Sequence, residues 1–294
     1  MVLKRRVPQG LVAVLIAAAT WVGAAQHPLH VMIANDDGVN APGIEALART
    51  VASDPGYRVT VVAPAKNQSA IGHALVIRRA IKVAPHKLVG GALAWSVDAT
   101  PATTVRVGIA ELLKNDRPDL MLSGINRGEN VGLIAWYSGT LGAAREASLL
   151  GIPAVAFSLQ LDWGDPHPDY AGAARWAKRV VDAVSAHGLP QGIFLNVNIP
   201  RDMQAIRGFR LTRMGLSADS KSHFEVVRRE GETRWLRSVW VPPVNQPVET
   251  DAGALMRGWV TIVPLGLDQT SFRAFPALQW LMGIPAPAPQ TKAH

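Results

Sequence analysis

The amino-acid sequence predicts an α/β fold with an open, mostly parallel central sheet. Short apolar runs of strand length alternate with segments of helical periodicity from about residue 30 to about residue 200. This alternation is typical of parallel strands joined by right-handed crossovers. Ligands of such folds bind at the carboxyl ends of the strands, where the loops converge. The polar segments that follow the strands are therefore the first candidates for function.

The first predicted strand ends at two adjacent carboxylates. The apolar residues 31–34 lead into Asn35-Asp36-Asp37-Gly38, where the glycine permits a sharp turn. Asn40 can cap the next helix, and Pro42 suits its first position because the N–H that proline lacks would have no partner there. One face of this helix is predicted to pack on the sheet through Ile44, Leu47, Ala48 and Val51.

A second strand over residues 59–63 is followed by the polar loop 66–73. That loop is too polar for a core element, and it is either a functional loop or a solvated connection. Two further strands are predicted over residues 75–83 and 93–97, around a Gly-Gly turn. Thr100-Pro101 can then cap and open a helix.

The next predicted strand, residues 119–122, runs into the turn-rich polar segment 123–130. A helix begins at Ser138-Gly139-Thr140 and precedes a strand over residues 154–158. The carboxyl end of the first of these strands and the start of this helix are expected at the same edge of the sheet as the acidic turn.

A surface excursion over residues 163–169 precedes a predicted helix over 170–187 and a strand over 194–199. From Arg210 onward the pattern is β-like, with strands over residues 235–241 and 259–263 and an extended, proline-containing arm between them. A hairpin in this region is expected to pack on a partner subunit.

Residues 1–25 have the pattern of a secretory signal peptide. Lys4-Arg5-Arg6 precede the apolar residues 11–19, and Gly23 and Ala25 place small side chains before a cleavage point at Gln26. We therefore expect a periplasmic or secreted protein, with an uncleaved N-terminal anchor as the alternative. Residues 26–205 are assigned to a catalytic core, 206–284 to the hairpin, arm and returning strand of the same domain, and 285–294 to a disordered tail.

The composition excludes several classes of function. The net charge of +8 includes three charges from Lys4, Arg5 and Arg6, and it does not demand a nucleic-acid platform. It suits an anionic small substrate or a solvated basic surface. The absence of cysteine excludes a disulfide framework, a cysteine-ligated metal and a thiol nucleophile.

Asp36 and Asp37 can hold a hard divalent cation, because Mg²⁺ takes oxygen ligands and needs only one or two carboxylates from the protein. Ser69 and Asn126 could complete the shell with neutral oxygens. Ser138-Gly139-Thr140 offers backbone N–H groups and a hydroxyl to an anion such as phosphate. Taken alone, the acidic pair could equally be a helix-capping or solvated turn, and Ser138 an ordinary N-cap.

Several motifs in chain order resemble the SurE family of survival-protein nucleotidases and acid phosphatases. The resemblance covers the chain almost end to end after Gln26. The motifs are Asn35-Asp36-Asp37-Gly38, Ala41-Pro42-Gly43-Ile44, Val61-Val62-Ala63-Pro64, Asn67-Gln68-Ser69, Gly72-His73, Ser123-Gly124-Ile125-Asn126-Arg127-Gly128, Tyr137-Ser138-Gly139-Thr140, Asn196-Val197-Asn198-Ile199-Pro200, Thr212-Arg213-x-Gly215, Thr250-Asp251 and Val260-Thr261-Ile262-x-Pro264-Leu265.

The resemblance implies a phosphatase that hydrolyses nucleoside monophosphates with Mg²⁺ or Mn²⁺. It implies a 5'-nucleotidase and leaves an additional 3'-nucleotidase activity open. It also implies a Rossmann-like three-layer core and a C-terminal hairpin exchanged between subunits of a homodimer or homotetramer. By motif match, the metal ligands are Asp36, Asp37, Ser69 and Asn126, the two aspartates also being catalytic. The implied substrate- and phosphate-binding residues are Asn35, Gly38, Gly72, His73, Arg127, Ser138, Gly139 and Thr140.

Attack by a metal-activated water oriented by Asp36 or Asp37 is the expected mechanism, with an aspartyl-phosphate route as the competitor. His73 and Arg127 are expected to assist the phosphate or the leaving group, although His73 could equally be structural. The alternative functions are a non-catalytic nucleotide or metal binder, a broader phosphomonoesterase and an exopolyphosphatase. A dinucleotide oxidoreductase is disfavoured, because the first strand lacks the Gly-x-Gly-x-x-Gly that approaches pyrophosphate.

The chain departs from the family pattern beside the expected pocket. Thr103-Thr104 stand where the family often has Asp-Cys, Leu133 and Ile134 stand where it has acidic residues, and Ala74 replaces a hydroxyl residue after His73. We expect these changes to affect substrate preference or subunit contacts while leaving the four ligands intact. The family is mainly cytoplasmic, so a cytoplasmic location is the alternative to export, and export would suit phosphate scavenging.

Overall fold

The computed structural model describes residues 27–162, 164–216, 223–239, 241 and 246–283. The expected signal peptide and C-terminal tail lie outside the described residues, as does part of the arm. Within the described ranges, no helix combines the length and the apolar character needed to cross a membrane.

Eleven strands are described, and they are β1 (Leu29–Ala34), β2 (Tyr57–Pro64), β3 (Val83–Val89), β4 (Ala92–Val97), β5 (Leu120–Arg127), β6 (Ala154–Leu159), β7 (Ile193–Ile199), β8 (Gly208–Leu211), β9 (His223–Glu230), β10 (Thr233–Val239) and β11 (Trp259–Gly266). The described helices are α1 (Pro42–Ala52), α2 (Pro101–Val107), α3 (Gly139–Leu149), α4 (Tyr170–His187), α5 (Asp251–Leu255) and α6 (Phe275–Leu278). Shorter helical turns cover Gly108–Leu112, Gly132–Trp136, Phe272–Ala274 and Gln279–Gly283.

Nine of these strands form one sheet in the order β3-β4-β2-β1-β5-β6-β7-β11-β8. Six strands from β4 to β7 in that order pair in parallel, whereas β3 and β11 run antiparallel to β4 and β7. In chain order, β2 to β4 are placed on one side of β1, and β5 and the later strands of the sheet on the other. The predicted α/β class with a mostly parallel sheet is thus confirmed.

The helices cover both faces of the sheet and give three layers. Helix α1 packs with α4 on one face, and its predicted apolar side, which includes Ile44 and Leu47, is fully buried there. Helices α2 and α3 pack together on the other face, where Leu141 and Ala144 of α3 belong to a second apolar core. Residues predicted at helical spacing therefore do anchor the helices to the sheet.

Two local predictions were wrong. No strand covers residues 75–82, and β3 begins only at Val83; Leu75 and Ile77 are 43% and 79% exposed, so this apolar run is not part of the core. The segment predicted as turn-rich after residue 122 instead continues β5 to Arg127, because Asn126 and Arg127 pair again with Ser158 and Leu159 of β6 after a register shift that follows Ser123. Gly124 makes this possible at φ +132°, where a Cβ would lie 2.4 Å from the carbonyl oxygen of Phe157.

The hairpin of β9 and β10 is a separate two-stranded sheet. Strand β10 corresponds to the predicted strand near residues 235–241, whereas β9 and the helical turns after Ser271 were not predicted. The hairpin exposes apolar side chains, including Phe224 at 69% and Leu236 at 55%. The core of this subunit does not cover them.

Candidate active site

The candidate site lies where the winding of the sheet changes direction. Strand β1 is flanked by β2 and β5, and all three run in parallel, so their carboxyl ends meet at one edge. The chain moves outward from β1 to β2 and later returns to β5 on the other side, which leaves a crevice at these strand ends. Residues 35–37, 65–69 and 126–128 are the segments that leave them.

Asn35 and Gly38 shape the acidic turn. The Asn35 amide donates to the carbonyl oxygen of Gly38 at 2.9 Å, and the Gly38 N–H donates to Asn35 Oδ1 at 3.2 Å. Gly38 has φ +103°, and a Cβ there would lie 3.2 Å from the backbone of Lys66. Asn35 is fully buried. Its role in this structure is therefore to fix the turn that presents the two aspartates.

Asp36 is held between the next loop and helix α3. Its backbone oxygen accepts the N–H of Gln68 at 2.7 Å, and its Oδ1 accepts the hydroxyl of Thr140 at 2.7 Å. Gly139 allows this close approach, since a Cβ there would lie 2.8 Å from Asp36 Cβ. The carboxylate is only 3% exposed.

Asp37 is held by two neighbouring segments. Its Oδ2 accepts the backbone N–H of Arg127 at 3.1 Å, and its Oδ1 accepts the amide of Asn67 at 3.3 Å. Asp36 and Asp37 are thus tied to three different loops. This rigidity is what a ligand set requires.

Burial raises the pKa of both carboxylates. Burial, followed by the charge of Asp37, raises the pKa of Asp36 to about 7, against the hydrogen bond from Thr140. Burial also raises the pKa of Asp37, opposed by the N–H and the charge of Arg127. No side-chain ion pair neutralises either aspartate among the described residues. A bound divalent cation would supply the missing positive charge.

Ser69 and Asn126 face the same cleft as Asp36. They line a cavity of about 220 Å³ together with Asp36 and Ser138. The amide nitrogen of Asn126 donates to the carbonyl oxygen of Gly128 at 2.7 Å, so its Oδ1 is left as an acceptor. This cavity therefore brings together the Asp36 carboxylate, an amide oxygen and a hydroxyl, and the Asp37 carboxylate lines the adjoining cavity.

This donor set fits a hard cation. Within the described residues, no group of three or more histidine, aspartate or glutamate side chains gathers as a metal cluster. Two carboxylates with neutral oxygens and water suit Mg²⁺ or Mn²⁺, whereas a structural zinc site prefers four nitrogen or sulfur ligands. The residues present are thus compatible with the implied metal.

The start of α3 provides an anion site beside the carboxylates. The Ser138 hydroxyl caps the helix by accepting the N–H of Leu141 at 3.2 Å, and the Ser138 carbonyl accepts the N–H of Gly142. The N–H groups of Gly139 and Thr140 in the first turn have no helical partner. They lie next to Asp36, where they can bind a phosphoryl oxygen.

A second lobe of the cleft lies on the Asp37 side. It has a volume of about 380 Å³ and is lined by Asp37, Gly38, Lys66 and Tyr170, with Arg127 shared between the two lobes. The pKa of Tyr170 is raised to about 12 by burial and by the charge of Asp37. Tyr170 was not predicted from the sequence, because a tyrosine at the start of a helix is most simply explained by packing. The proline-rich segment before it was nevertheless a signal of an irregular region at the surface.

Gly72 and His73 lie outside the catalytic cleft. The Gly72 N–H donates to the carbonyl oxygen of Tyr137 at 2.9 Å, and Nε2 of His73 lies 2.8 Å from Oε2 of Glu146. Neither residue lines the two lobes. Their described contacts join the loop that carries Ser69 to helix α3, and Glu146 was not identified from the sequence.

Two further motifs anchor the loop after β5. Asn198 Oδ1 accepts the N–H of Asn130 at 2.7 Å, and the Asn196 amide donates to the Asn130 carbonyl at 2.8 Å. Asp251 is fully buried and accepts the N–H groups of Gly132 and Gly215. These side chains position the segment between Asn126 and Ser138 without facing the cleft.

Comparisons with known proteins agree with this geometry. Residues 31–221 match the family model described as "Survival protein SurE". A protein named 5'-nucleotidase SurE from Desulfatibacillum aliphaticivorans is 39% identical over 246 residues, which is 83% of this chain and 94% of that protein. The protein named 5'-nucleotidase SurE 1 from Thermus thermophilus is 38% identical over 262 residues, covering 88% of this chain and all of that protein.

A solved structure shows the same fold. The crystal structure of the SurE protein from Aquifex aeolicus is 33% identical and superposes with a TM-score of 0.75. The match covers 86% of this chain and 99% of that chain. The family match over residues 31–221 includes every segment that forms the cleft.

Proposed function

The chain belongs to the SurE family, and on this premise we propose that it is a metal-dependent 5'-nucleotidase that hydrolyses nucleoside monophosphates to nucleoside and phosphate. The observation that carries the proposal is the adjacent pair Asp36-Asp37 at the centre of the cleft. Asp36 is buried and lines one lobe with Ser69, Asn126 and Ser138 at the start of α3, and Asp37 lines the adjoining lobe. A cation site and an anion site are thus adjacent. That combination suits a phosphate ester bound through a metal.

Metal dependence follows from the charges in the cleft. Two ionised carboxylates would repel a phosphate dianion, and Arg127 alone cannot neutralise both. We propose that Asp36, Asp37, Ser69 and Asn126 hold Mg²⁺ or Mn²⁺. When bound there, such an ion supplies Lewis-acid polarisation of a phosphoryl oxygen and lowers the pKa of a water molecule.

The protein's own residues position the reactants. The N–H groups of Gly139 and Thr140 and the Arg127 guanidinium bind the equatorial phosphoryl oxygens, where negative charge develops in the transition state. Asp37 orients the attacking water by accepting one of its protons in a hydrogen bond. Attack by the water forms the new P–O bond as the bond to the nucleoside oxygen breaks. The proton that the water gives up balances the proton gained by that oxygen, which leaves as the free alcohol. The products are a nucleoside and inorganic phosphate.

Phosphate release is the direct test. The wild-type protein is assayed with 5'- and 3'-nucleoside monophosphates, polyphosphate and a simple phosphomonoester, each with Mg²⁺, Mn²⁺ or a chelator. We expect metal-dependent release from 5'-nucleotides, with activity at least about 100-fold lower for Asp37→Asn and unchanged for Asp268→Asn, an exposed carboxylate. Release in the chelator, or none from any substrate, would contradict the proposal. Preference for polyphosphate or the simple ester would instead support the broader phosphatase.

The competing aspartyl-phosphate route makes a different prediction. In that route Asp36 or Asp37 forms a covalent bond to phosphorus, and a fluorinated phosphate mimic such as beryllium trifluoride would bind the same carboxylate in place of the phosphoryl group. An adduct on Asp36 or Asp37, detected by mass measurement of the intact protein, would support that route. Because water supplies one oxygen to phosphate in both routes, the configuration at phosphorus is the companion test: a substrate with an isotopically chiral phosphate should give inversion under direct attack by water, and retention would exclude it.

We also propose that the β9–β10 hairpin packs on a second copy of this chain. Its apolar side chains are exposed, and a further apolar cluster follows β11 at Phe272, Phe275 and Trp280. An isolated hairpin of this kind is marginally stable without a partner. Light scattering should give the mass of an oligomer, and the double variant Phe224→Glu/Leu236→Glu should give a monomer, whereas Glu232→Lys in the hairpin turn should not. A monomeric wild type would reject this assembly.

Export is a separate proposal that depends on residues 1–25. We propose that this segment directs secretion and is cleaved before Gln26, because charged, apolar and small residues follow in the order that a signal peptidase requires. Fusion of these residues to a reporter that is active only outside the inner membrane tests the targeting, and N-terminal sequencing of the exported protein tests the cleavage. A reporter that stays inactive would favour a cytoplasmic protein.

A further inference from the structure

A third cavity, of about 270 Å³, shares no lining residue with the two lobes of the catalytic cleft. Its wall includes Trp136, Phe194, Met214 and Leu265, which are apolar, and the amide side chain of Gln269. One charged side chain also lines it, that of Arg145 on helix α3. The volume is slightly below the range of about 300–1,000 Å³ for pockets that bind drug-sized ligands. It therefore suits a small ligand.

The Arg145 guanidinium is packed between two aromatic rings. Its central carbon lies 5.9 Å from the ring centroid of Trp136 and 5.6 Å from that of Phe194. Cation–π contacts of this kind stabilise the cation. They leave the N–H groups at the edge of the guanidinium plane available, and these are the groups that bind an anion in a bidentate fork.

Arg145 carries a charge that the described residues do not compensate. Its Nε is buried and makes no hydrogen bond, and no carboxylate pairs with it in the described part of the chain. The adjacent Glu146 pairs with Arg106 and His73 instead. Burial lowers the pKa of Arg145, which reflects the cost of holding this cation away from water.

We propose that this cavity binds a small monocarboxylate with an apolar or aromatic body, its carboxylate paired with Arg145 and its body against Trp136 and Phe194. A single negative charge matches the single cation of the cavity. A phosphate dianion would need further positive groups, which the lining does not contain. The apolar walls supply the remaining binding energy, because they remove the body of the ligand from water.

Benzoate is the probe, and benzamide is its neutral counterpart of nearly the same shape. Calorimetric titration is performed on the full-length protein and on the Arg145→Met variant. Arg179→Met is the matched control, since Arg179 also lies over two rings, those of Trp176 and Phe209, but its side chain is exposed. We expect one benzoate per chain, affinity about tenfold or more weaker for Arg145→Met and for benzamide, and no change for Arg179→Met.

Four results would overturn the proposal. They are the absence of saturable benzoate binding to the wild type, equal binding of benzamide, equal binding to Arg145→Met, and an equal loss with Arg179→Met. A change of oligomeric mass in Arg145→Met, with no benzoate binding to the wild type, would mean that Arg145 meets a carboxylate of another copy instead. The comparison of benzoate with benzamide needs only the wild-type protein, so it decides the question even where the variant does not fold.

Discussion

The hydroxyl of Thr140 donates a hydrogen bond of 2.7 Å to Oδ1 of Asp36, across 104 positions of sequence. This contact links Asp36 to the start of α3. One hydrogen bond therefore connects the proposed cation site to the proposed anion site. It also stabilises the ionised form of a carboxylate whose burial disfavours ionisation. The charge state of Asp36 thus depends on a residue of the phosphate-binding segment.

The variant Thr140→Val keeps the shape of this side chain and removes the donor. We expect the pKa of Asp36 to rise further and the apparent affinity for Mg²⁺ to fall by about 10- to 100-fold, as for other residues that orient a metal ligand. Phosphate release at increasing Mg²⁺ measures this. Thr140→Ser retains the hydroxyl and should behave as the wild type. An unchanged Mg²⁺ affinity in Thr140→Val, or an equal loss in the Ser and Val variants, would show that the hydrogen bond does not account for the effect.

The raised pKa of Asp36 predicts how the metal-free protein responds to pH. Burial and Asp37 raise it from 3.8 to about 7, so between these values the folded protein holds a proton that the unfolded chain has released. Stability in the presence of a chelator is therefore lost as the pH rises through this range. Asp36→Asn cannot titrate, and it should gain stability relative to the wild type between about pH 5 and pH 8.

Urea unfolding of both proteins at these two pH values measures that difference. Asp37 and Asp251 also have raised pKa values, but they are present in both proteins and contribute to both curves. Addition of Mg²⁺ at the higher pH should restore stability to the wild type more than to Asp36→Asn. A stability difference that does not change with pH would show that Asp36 is not protonated in the folded, metal-free protein.

Replacing Gly139 by alanine has two opposing effects on stability. Alanine is a better helix former than glycine by about 0.5–1 kcal/mol, which would stabilise α3. Its Cβ, however, would lie 2.8 Å from Asp36 Cβ and 3.0 Å from Oδ2. Overpacking costs about 1–3 kcal/mol, so it outweighs the propensity.

We therefore expect Gly139→Ala to lower both the melting temperature and the phosphate-release rate. Gly266→Ala is the control, since the nearest atom to its Cβ would be 3.8 Å away. Thermal unfolding and the phosphate assay are measured on both variants. A Gly139→Ala protein that is more stable than the wild type and fully active would mean that α3 can retreat from Asp36 without consequence.

Much of this site could be predicted from sequence because its parts lie at strand ends. Asp36 and Ser69 follow parallel strands and Asn126 lies at the carboxyl end of β5, and parallel strands bring such residues to one edge. The strand error at residues 75–83 arose because apolar character alone does not distinguish a core strand from an exposed segment. The role of Glu146 could not be foreseen, since its partners depend on how α2, α3 and the loop at residues 66–76 pack together. That of Arg145 could not be foreseen either, since its partners lie on β7 and in the helical turn before α3.

Glu146 provides the last test, because it joins three elements near the cleft. Its carboxylate is 1% exposed and pairs with His73 at 2.8 Å and with Arg106 at 2.5 Å. Burial would raise the pKa of Glu146, but His73 and Arg106 together outweigh burial and hold that pKa below its usual value. The two ion pairs of Glu146 therefore stabilise the protein above about pH 4.5. This stabilisation is lost as the pH falls through the lowered pKa of Glu146.

Glu146→Gln keeps the shape and removes the charge, and we expect it to lower the free energy of unfolding by roughly 1–3 kcal/mol at neutral pH. The difference from the wild type should shrink at acidic pH, where the wild-type carboxylate is protonated as well. Because His73 follows Ser69 by four residues on the same loop, the Mg²⁺ concentration for half-maximal activity should rise while the rate at saturating Mg²⁺ is largely kept. Glu111→Gln is the matched control, since its carboxylate is 69% exposed and pairs only with Lys114 among the described residues. Equal behaviour of the two variants in urea unfolding and Mg²⁺ titration would show that the Glu146 pair does not position the loop.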